Sequence, residues 1–93
     1  MRIIYTGHLE FRLKLRNIDY DLPREVLLNA RLHYFDTLTK HYIAIYETEF
    51  KNKSRDLAVT YDKKGDLIEI ITIHPIKPYQ KYQRLTSGRW KKI

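Results

Sequence analysis

The residues best suited to chemistry are His8, Arg12 and Arg16, which recur every four positions near the start of the 93-residue chain. Read as a helix at about 100° per residue, the segment 6–17 places all three side chains on one stripe. Apolar residues flank this basic stripe on both sides, namely Phe11 and Leu15 on one and Leu9 and Leu13 on the other. The helix would then turn the stripe toward its buried side, where unpaired charge is strongly unfavourable. We therefore expect the stripe to border a wet cleft or a pocket that holds an anion.

A second polar group, Thr72 and His74, ends an apolar segment that reads as the last strand of a sheet. Because side chains alternate along a strand, both residues are expected on the face of Ile68 and Ile70. If the N-terminal helix crosses this face near the end of the strand, its basic stripe joins them in a cluster of imidazoles, guanidinium groups and a hydroxyl. Taken singly, Thr72 also reads as an ordinary β-former and His74 as a strand-end residue before a proline.

The composition restricts the class of protein. Ninety-three residues form one domain with a single modest core, which argues against an elaborate cofactor site, so we expect no cofactor. The absence of cysteine excludes disulfides, thiolate metal ligands and a cysteine nucleophile, and it fits a cytoplasmic location. No segment approaches the roughly 18 apolar residues of a membrane span, and the first residues lack a secretory apolar region. We expect no membrane contact.

The end of the chain is strongly basic. Residues 77–93 hold six lysines and arginines and no acidic residue, which accounts for most of the net charge of +7. Aromatic residues alternate with these cations, a pattern typical of a surface that neutralises phosphates and stacks on unpaired bases. Together with Arg16, we expect four of these residues to bind nucleic acid: Lys81, Arg84, Arg89 and Trp90. A solvated, frayed tail explains the same composition. The segment is either part of the α+β domain formed by residues 1–76 or appended to it.

The periodicity predicts an α+β fold, with two N-terminal helices packed on a four-stranded antiparallel sheet. Residues 2–5 read as a short strand or a lead-in. Thr6 suits the N-cap of the first helix, and Pro23 suits the first turn of the second.

The sheet is predicted from an alternating pattern that begins near His33. Hairpin signals follow at residues 51–54 and 62–66, the second of which contains a glycine for positive φ. Pro75 and Pro78 are expected to end the last strand, since proline cannot donate to a sheet ladder.

Two segments carry a resemblance to a known family. HLEFRLKLRNI at residues 8–18 resembles the H-x-x-x-R-x-x-x-R-x-I opening of a small bacterial and archaeal domain-of-unknown-function family that sits beside BrnT-type toxins. IEIITIHPI at residues 68–76 is similar to the last strand of that family, an apolar run ending in a threonine and a Tyr-Pro or His-Pro pair. The resemblance covers nearly the whole chain. It implies a fold of the RelE and ParE toxin type, RNA cleavage without a metal, and neutralisation by a paired antitoxin.

The resemblance extends to individual residues. It matches His8 to the helix histidine of the family, and it matches Thr72 to the last-strand threonine. Arg12 and Arg16 match the arginines that follow the histidine. The catalytic lysine cluster of the ribosome-dependent RelE enzymes has no clear counterpart in this sequence.

Metal-free RNA cleavage uses the 2′-hydroxyl as nucleophile and needs a base, an acid and positive charge at the phosphorus. Histidine suits both proton roles near neutrality. We expect His8 to act as base or acid and Arg12 to stabilise the transition state. Thr72 would hydrogen-bond the phosphate, and His74 would be the second proton carrier.

Metal-dependent chemistry is the first alternative. Glu49-Phe50-Lys51 has the acid-x-lysine spacing of one nuclease class, with Asp36 as a second carboxylate, although the same residues read as the solvent side of a strand end. His33 and His41 are too far from other ligand-type residues to indicate zinc, so we expect no metal.

A binding module without chemistry is the alternative from another class, because a basic aromatic surface can bind RNA or a protein partner on its own. In a purely structural interpretation, His8 and Arg12 pair with carboxylates such as Asp36 or Glu69. The tail then docks through Trp90 on its own domain or on a second subunit, which leaves a homodimer open.

Overall fold

The computed structural model describes residues 1–93 and contains three helices and six strands. The helices are α1 (Gly7–Leu15), α2 (Leu22–Asn29) and α3 (Pro78–Thr86). The strands are β1 (Arg2–Tyr5), β2 (Leu32–Asp36), β3 (Tyr42–Phe50), β4 (Lys53–Lys64), β5 (Leu67–Ile76) and β6 (Trp90–Lys92). None of the helices is long and apolar enough to cross a membrane.

All six strands form one mixed sheet in the order β1-β5-β4-β3-β2-β6. Strand β1 runs parallel to β5, and β6 extends the opposite edge by pairing antiparallel with β2. The predicted fold of two N-terminal helices on a four-stranded antiparallel sheet is therefore wrong. The sheet has two more strands and one parallel pair, and a third helix lies near the C-terminus.

The two additional strands depend on their partners more than on their own sequences. β6 spans three residues, two of them lysines, and is extended because it pairs with residues 34–36 of β2. β1 pairs with residues 67–70 of β5, about 65 residues later in the chain. Such non-local pairing leaves no periodicity in a short segment, since strand propensity is decided largely by neighbours.

Helix α1 begins at the predicted cap, where the Thr6 side chain accepts a hydrogen bond from the Leu9 backbone N–H at 3.1 Å. Leu9 and Leu13 are its buried residues. Phe11 and Leu15, by contrast, are 63% and 67% exposed, so the apolar residues do not enclose the basic stripe from both sides. The stripe lies between a buried leucine pair and an exposed apolar pair, and it borders solvent.

The sheet buries side chains on both faces. Helices α1 and α2 cover the first face, whose buried residues form one cluster: Leu9, Leu13, Val26, Leu27, Ala44, Leu57, Val59, Tyr61, Ile68, Ile70 and Ile73. The second face carries a smaller cluster: Tyr34, Ile43, Ile45, Ala58, Ile76 and Trp90. Helix α3 lies on this second face, with the Arg84 guanidinium 5.2 Å from the centre of the Trp90 ring.

A β-bulge interrupts β5 beside α1. Ile70 pairs with Tyr61 of β4, but the next pair joins Thr72 to Thr60, so that Ile71 is the extra residue. One additional residue in a strand reverses the faces of all the side chains that follow.

The bulge decides where the polar end of β5 points. Ile73 belongs to the cluster under α1, whereas Ala58, which pairs with His74, belongs to the cluster of the second face. Directly opposed side chains in an antiparallel pair share a face, so Thr72 and His74 lie on the α3 side. The prediction that they share the face of the isoleucines before the bulge is therefore wrong.

Pro75 lies inside β5, opposite Leu57, and does not end the strand as predicted. β1 accompanies β5 only as far as Ile70, which makes the rest of β5 an edge. An edge strand tolerates proline because the missing N–H can face solvent.

Candidate anion-binding cleft

One cavity of about 250 Å³ lies between α1 and β5, and we call it the cleft. It contains all the residues predicted for catalysis and one of those predicted for nucleic-acid binding: His8, Arg12, Thr72 and His74, and Arg16. Its apolar wall consists of Leu9, Leu13, Ile18, Ile71 and Ile73. Residues from two separate segments of the sequence therefore meet at one site.

The cleft exists because β1 ends before β5 does. The last bond between the two segments runs from the Thr6 backbone N–H to the Ile70 carbonyl oxygen at 3.0 Å, and α1 starts at Gly7. Beyond this bond, β5 has α1 beside it where a further strand would lie. Thr72 and His74 line the cleft from this open edge although the bulge turns them toward the α3 side.

The cationic groups of the cleft have no acidic partner. No aspartate or glutamate lines the cavity, and the side chains of Arg12 and Arg16 form no ion pair. The two histidines make no side-chain hydrogen bond. Exposed guanidinium groups around a concave surface attract anions, and the planar guanidinium binds phosphate through two parallel hydrogen bonds. The arrangement is therefore suited to binding an anion.

The environment of His74 favours its neutral form. Desolvation by the surrounding protein lowers the pKa of His74 from its ordinary value of 6.5, and the positive charges of Arg84 and Arg16 lower it further. A neutral imidazole at neutral pH can accept a proton.

The volume of the cleft limits what it can hold. Pockets for drug-sized ligands occupy roughly 300–1,000 Å³. At about 250 Å³ the cleft is slightly smaller, so it suits a phosphate with part of its sugar better than a whole nucleotide.

A second cavity of about 240 Å³ continues the cleft toward the turn between β3 and β4. The two cavities share four lining residues: Arg16, Ile18, Ile73 and His74. The continuation adds a further cation, Lys51, whose ammonium group donates to the Arg16 carbonyl oxygen at 3.1 Å.

Lys51 is not among the residues predicted from the sequence for this site. Lys51 and Asn52 form the turn with positive φ angles of 54° and 65°, the combination of a two-residue type I′ hairpin. The observed turn is therefore shorter than the loop predicted at residues 51–54, because β4 begins at Lys53. Neither the hairpin signal nor the acid-x-lysine pattern predicts this position of Lys51, which depends on how the hairpin packs against α1.

Arg89 and Trp90, both predicted to contact nucleic acid, are occupied elsewhere in the structure. The Arg89 Nε donates to both carboxylate oxygens of Asp36, at 3.1 and 3.2 Å, and the Trp90 indole N–H donates to Asp36 at 3.2 Å. Trp90 is 4% exposed, so its ring is not available to stack on a base. Trp90 lies among cations in the sequence, a pattern typical of a binding surface, but its indole is part of the buried cluster on the second face of the sheet.

Asp36 is the acid that holds this group together, and we call the three residues the Asp36 cluster. Its carboxylate also accepts backbone N–H bonds from Leu38 and Thr39, at 2.9 and 3.3 Å. Burial alone would raise the pKa of Asp36, but the bonds from Arg89, the backbone and Trp90 outweigh it and lower the pKa to about 2. The carboxylate is therefore ionised and satisfied.

Lys81 and Arg84 lie on the side of α3 that faces the protein, where both are half-buried. Arg84 contacts the face of Trp90 and is close enough to His74 for its charge to lower the pKa of that imidazole. Of the basic residues predicted in the C-terminal segment, Arg84 is therefore the one linked to the cleft.

The alternatives based on carboxylates gain no geometric support. Asp36 lies beside His41, which directly precedes β3. Glu49 lies eight residues beyond His41, near the other end of β3, so Asp36 and Glu49 are separated by roughly 25 Å. No three histidine, aspartate or glutamate side chains lie close enough together to hold a metal ion. Asp36 pairs with Arg89 and not with the cleft residues.

No protein-family model matches the chain, and no curated protein or solved structure is significantly similar to it. The interpretation of the cleft therefore depends on its own residues.

Proposed function

We propose that this chain is a metal-independent endoribonuclease of the toxin type. The observation that carries the proposal is the cleft itself, which combines two imidazoles, two guanidinium groups and a hydroxyl with no carboxylate. Imidazoles move protons near neutral pH, and guanidinium groups stabilise the extra negative charge that develops on a phosphate during its cleavage.

In this proposal, the histidines of the cleft transfer protons and its other polar residues stabilise the phosphate. Neutral His74 removes the proton of the 2′-hydroxyl, and the 2′-oxygen attacks the adjacent phosphorus. Protonated His8 donates its proton to the departing 5′-oxygen as the P–O bond breaks. Arg12 stabilises the negative phosphorane, and the Thr72 hydroxyl donates to a non-bridging oxygen. The products are a 2′,3′-cyclic phosphate and a free 5′-hydroxyl, with one proton accepted and one returned.

The lowered pKa of His74 supports its place as the base, because a base must be deprotonated at the start of the reaction. Arg16 and Lys51 extend the positive surface beyond the reacting phosphate and would contact the RNA backbone, where each contact adds to the salt dependence of binding.

The partners belong to the same proposal. The resemblance of residues 8–18 and 68–76 to the family that sits beside BrnT-type toxins supports RNA as substrate and a paired antitoxin as inhibitor. The absence of cysteine fits activity in the cytoplasm.

The test is cleavage of total RNA in excess EDTA by the wild-type protein and by His8→Gln. Glutamine retains hydrogen bonding but cannot carry a proton, so His8→Gln is expected to cleave at least about 100-fold more slowly. The matched control is His41→Gln, which removes a histidine that pairs with Asp62 away from the cleft and is expected to leave cleavage unchanged. Cyclic-phosphate ends support 2′-hydroxyl attack. Cleavage that requires a divalent ion, or that survives His8→Gln, overturns the proposal.

One observation favours a second candidate, a non-catalytic RNA-binding module. Neither His8 nor His74 has a hydrogen-bond partner to orient its ring, whereas catalytic histidines are commonly oriented by a third group. In this case the wild-type protein retains salt-dependent RNA binding in EDTA but yields no cleaved product.

A further inference from the structure

Helix α3 is amphipathic, and its apolar side faces solvent. At about 100° per residue, Tyr79 and Tyr82 lie about 60° apart on one side of the helix, and Leu85 lies between Tyr82 and Lys81. Tyr79 and Tyr82 are 58% and 68% exposed and Leu85 is 36% exposed, whereas Lys81 and Arg84 are half-buried against the protein. No residue of α3 is buried. A surface helix ordinarily buries its apolar side, so this orientation leaves two aromatic rings without a partner in the chain.

The helix is held in this orientation at both ends. Pro78 occupies its first turn, and the Lys77 backbone N–H donates to Gln80 Oε1 at 2.9 Å. At the other end, Gly88 adopts a φ of 79° and turns the chain so that Trp90 enters the core of the second face. The outward position of the tyrosines therefore follows from the fixed ends of α3.

The chemistry around the rings indicates their ligand. The two tyrosines lie three residues apart on the helix, so their Cβ atoms are separated by about 5–6 Å and one strand can engage both rings. The surrounding segment of residues 77–93 contains only cations among its charged residues. Planar apolar groups carried on a polyanion are the bases of a single-stranded nucleic acid, and stacking on aromatic rings is the usual means of binding them.

The tyrosines are also within reach of the cleft. His74 lines the cleft, and Tyr79 follows it by five residues, which span at most about 18 Å of extended chain. Arg84, on the same helix as the tyrosines, acts electrostatically on His74 of the cleft. A strand of a few nucleotides whose phosphate enters the cleft can therefore extend over α3.

We propose that Tyr79 and Tyr82 form an accessory site on α3 that stacks on unpaired bases of an RNA strand bound in the cleft. The site deepens the proposed function and rests on it only in taking RNA as the ligand of the cleft. It makes single-stranded RNA the substrate class, because the bases of a duplex are stacked on one another and offer no free faces.

The test is equilibrium binding by fluorescence anisotropy in EDTA, with labelled oligoadenylate of two and ten nucleotides and a duplex of ten base pairs. The protein variants carry His8→Gln, to prevent cleavage, with or without Tyr79→Ala and Tyr82→Ala. Stacking on one aromatic ring contributes roughly five- to 100-fold in affinity. We expect the double tyrosine variant to bind the single-stranded ten-mer at least about fivefold more weakly and to bind the dinucleotide and the duplex unchanged.

Two further variants separate stacking from other effects. Tyr82→Phe retains the ring and is expected to bind the ten-mer like its parent. Leu28→Ala removes a 53% exposed apolar side chain from α2, on the opposite face, and is expected to have no effect. Because neither tyrosine is buried, circular dichroism should show that all variants fold.

The outcomes for the two proposals are distinguishable. If the wild-type protein does not cleave RNA in EDTA but binding of the ten-mer depends on the tyrosines, the accessory site is supported and the proposed catalysis is overturned. Cleavage with ten-mer binding that is insensitive to Tyr79→Ala and Tyr82→Ala overturns the accessory site, and the exposed face of α3 is then a surface for a protein partner.

Discussion

The cleft and the Asp36 cluster use similar residues and differ in how their charges are satisfied. In the cluster, one buried carboxylate accepts hydrogen bonds from Arg89, from Trp90 and from two backbone N–H groups. In the cleft, Arg12 and Arg16 have no carboxylate partner, and a concave surface lies between them and β5.

Residue type alone therefore does not separate structural from functional cations in this chain. An arginine whose donors are occupied by a buried acid contributes to stability and is not free to bind a ligand. An arginine that is solvated and unpaired contributes little to stability and can bind an anion. Substitutions in the two regions should therefore affect different measurements.

The largest expected effect is on catalysis by the cleft. Arg12→Gln removes a charge that stabilises the phosphorane in the proposed mechanism, so RNA cleavage should slow by about 100- to 1,000-fold. The free energy of unfolding should stay within about 0.5 kcal/mol of wild type, because Arg12 is exposed and unpaired. Single-turnover cleavage and urea unfolding measure the two quantities.

The control for Arg12→Gln is Lys14→Gln, which removes a positive charge from the far side of the same helix. It should alter neither rate nor stability appreciably. An equal loss of rate in both variants would mean that net charge, and not the position of Arg12, governs activity.

The reverse pattern is expected for the Asp36 cluster. Asp36→Ala leaves the Arg89 guanidinium, the Trp90 indole and two backbone N–H groups without their acceptor, so unfolding should require about 3 kcal/mol less free energy. Urea unfolding measures the loss. If Asp36→Ala were as stable as Arg12→Gln, the two regions would not differ in the way proposed.

Acid should weaken the same cluster. The pKa of Asp36 is about 2 in the folded protein and 3.8 ordinarily, so the unfolded chain takes up the proton first as the pH falls. The stabilisation is complete above about pH 4 and is lost as the pH falls through 2, a change of about 2 kcal/mol. Unfolding free energies measured across this range should show the loss in Arg12→Gln and not in Asp36→Ala, which lacks the carboxylate.

The smallest expected effect connects the two regions through Arg84. Arg84→Gln removes a positive charge that lowers the pKa of His74, so that pKa should rise toward 6.5. A higher pKa also affects activity, because a base with a higher pKa becomes protonated, and therefore inactive, at a higher pH as the pH falls. The acid limb of the cleavage rate should therefore move to higher pH.

An NMR titration of the His74 ring protons checks the shift directly. Lys92→Gln, which removes an exposed cation of β6 that does not act on His74, is the control. If the His74 titration is the same in wild type and in Arg84→Gln, the charge of Arg84 on α3 does not influence the cleft.

Local patterns in the sequence predicted several features that the structure retains. The Thr6 cap, the proline in the first turn of α2 and the glycine with positive φ at residue 65 are all where the pattern indicated. These features are encoded within a few residues, because capping, proline geometry and turn conformations depend on adjacent backbone groups. The spacing of His8, Arg12 and Arg16 placed them on one stripe for the same reason.

Other features of the fold and of the cleft depend on contacts between residues that are distant in the sequence. The parallel pairing of β1, the joining of β6 to the sheet and the bulge at Ile71 depend on partners distant in sequence. Trp90 and Arg89 read as binding residues until the fold places Asp36 beside them, and Lys51 reads as a loop residue until its turn reaches α1. Local sequence encodes which chemical groups are present and their local geometry. Which of them are paired, buried or open to a ligand was decided only by non-local packing, since burial and partners determine whether a charge is satisfied.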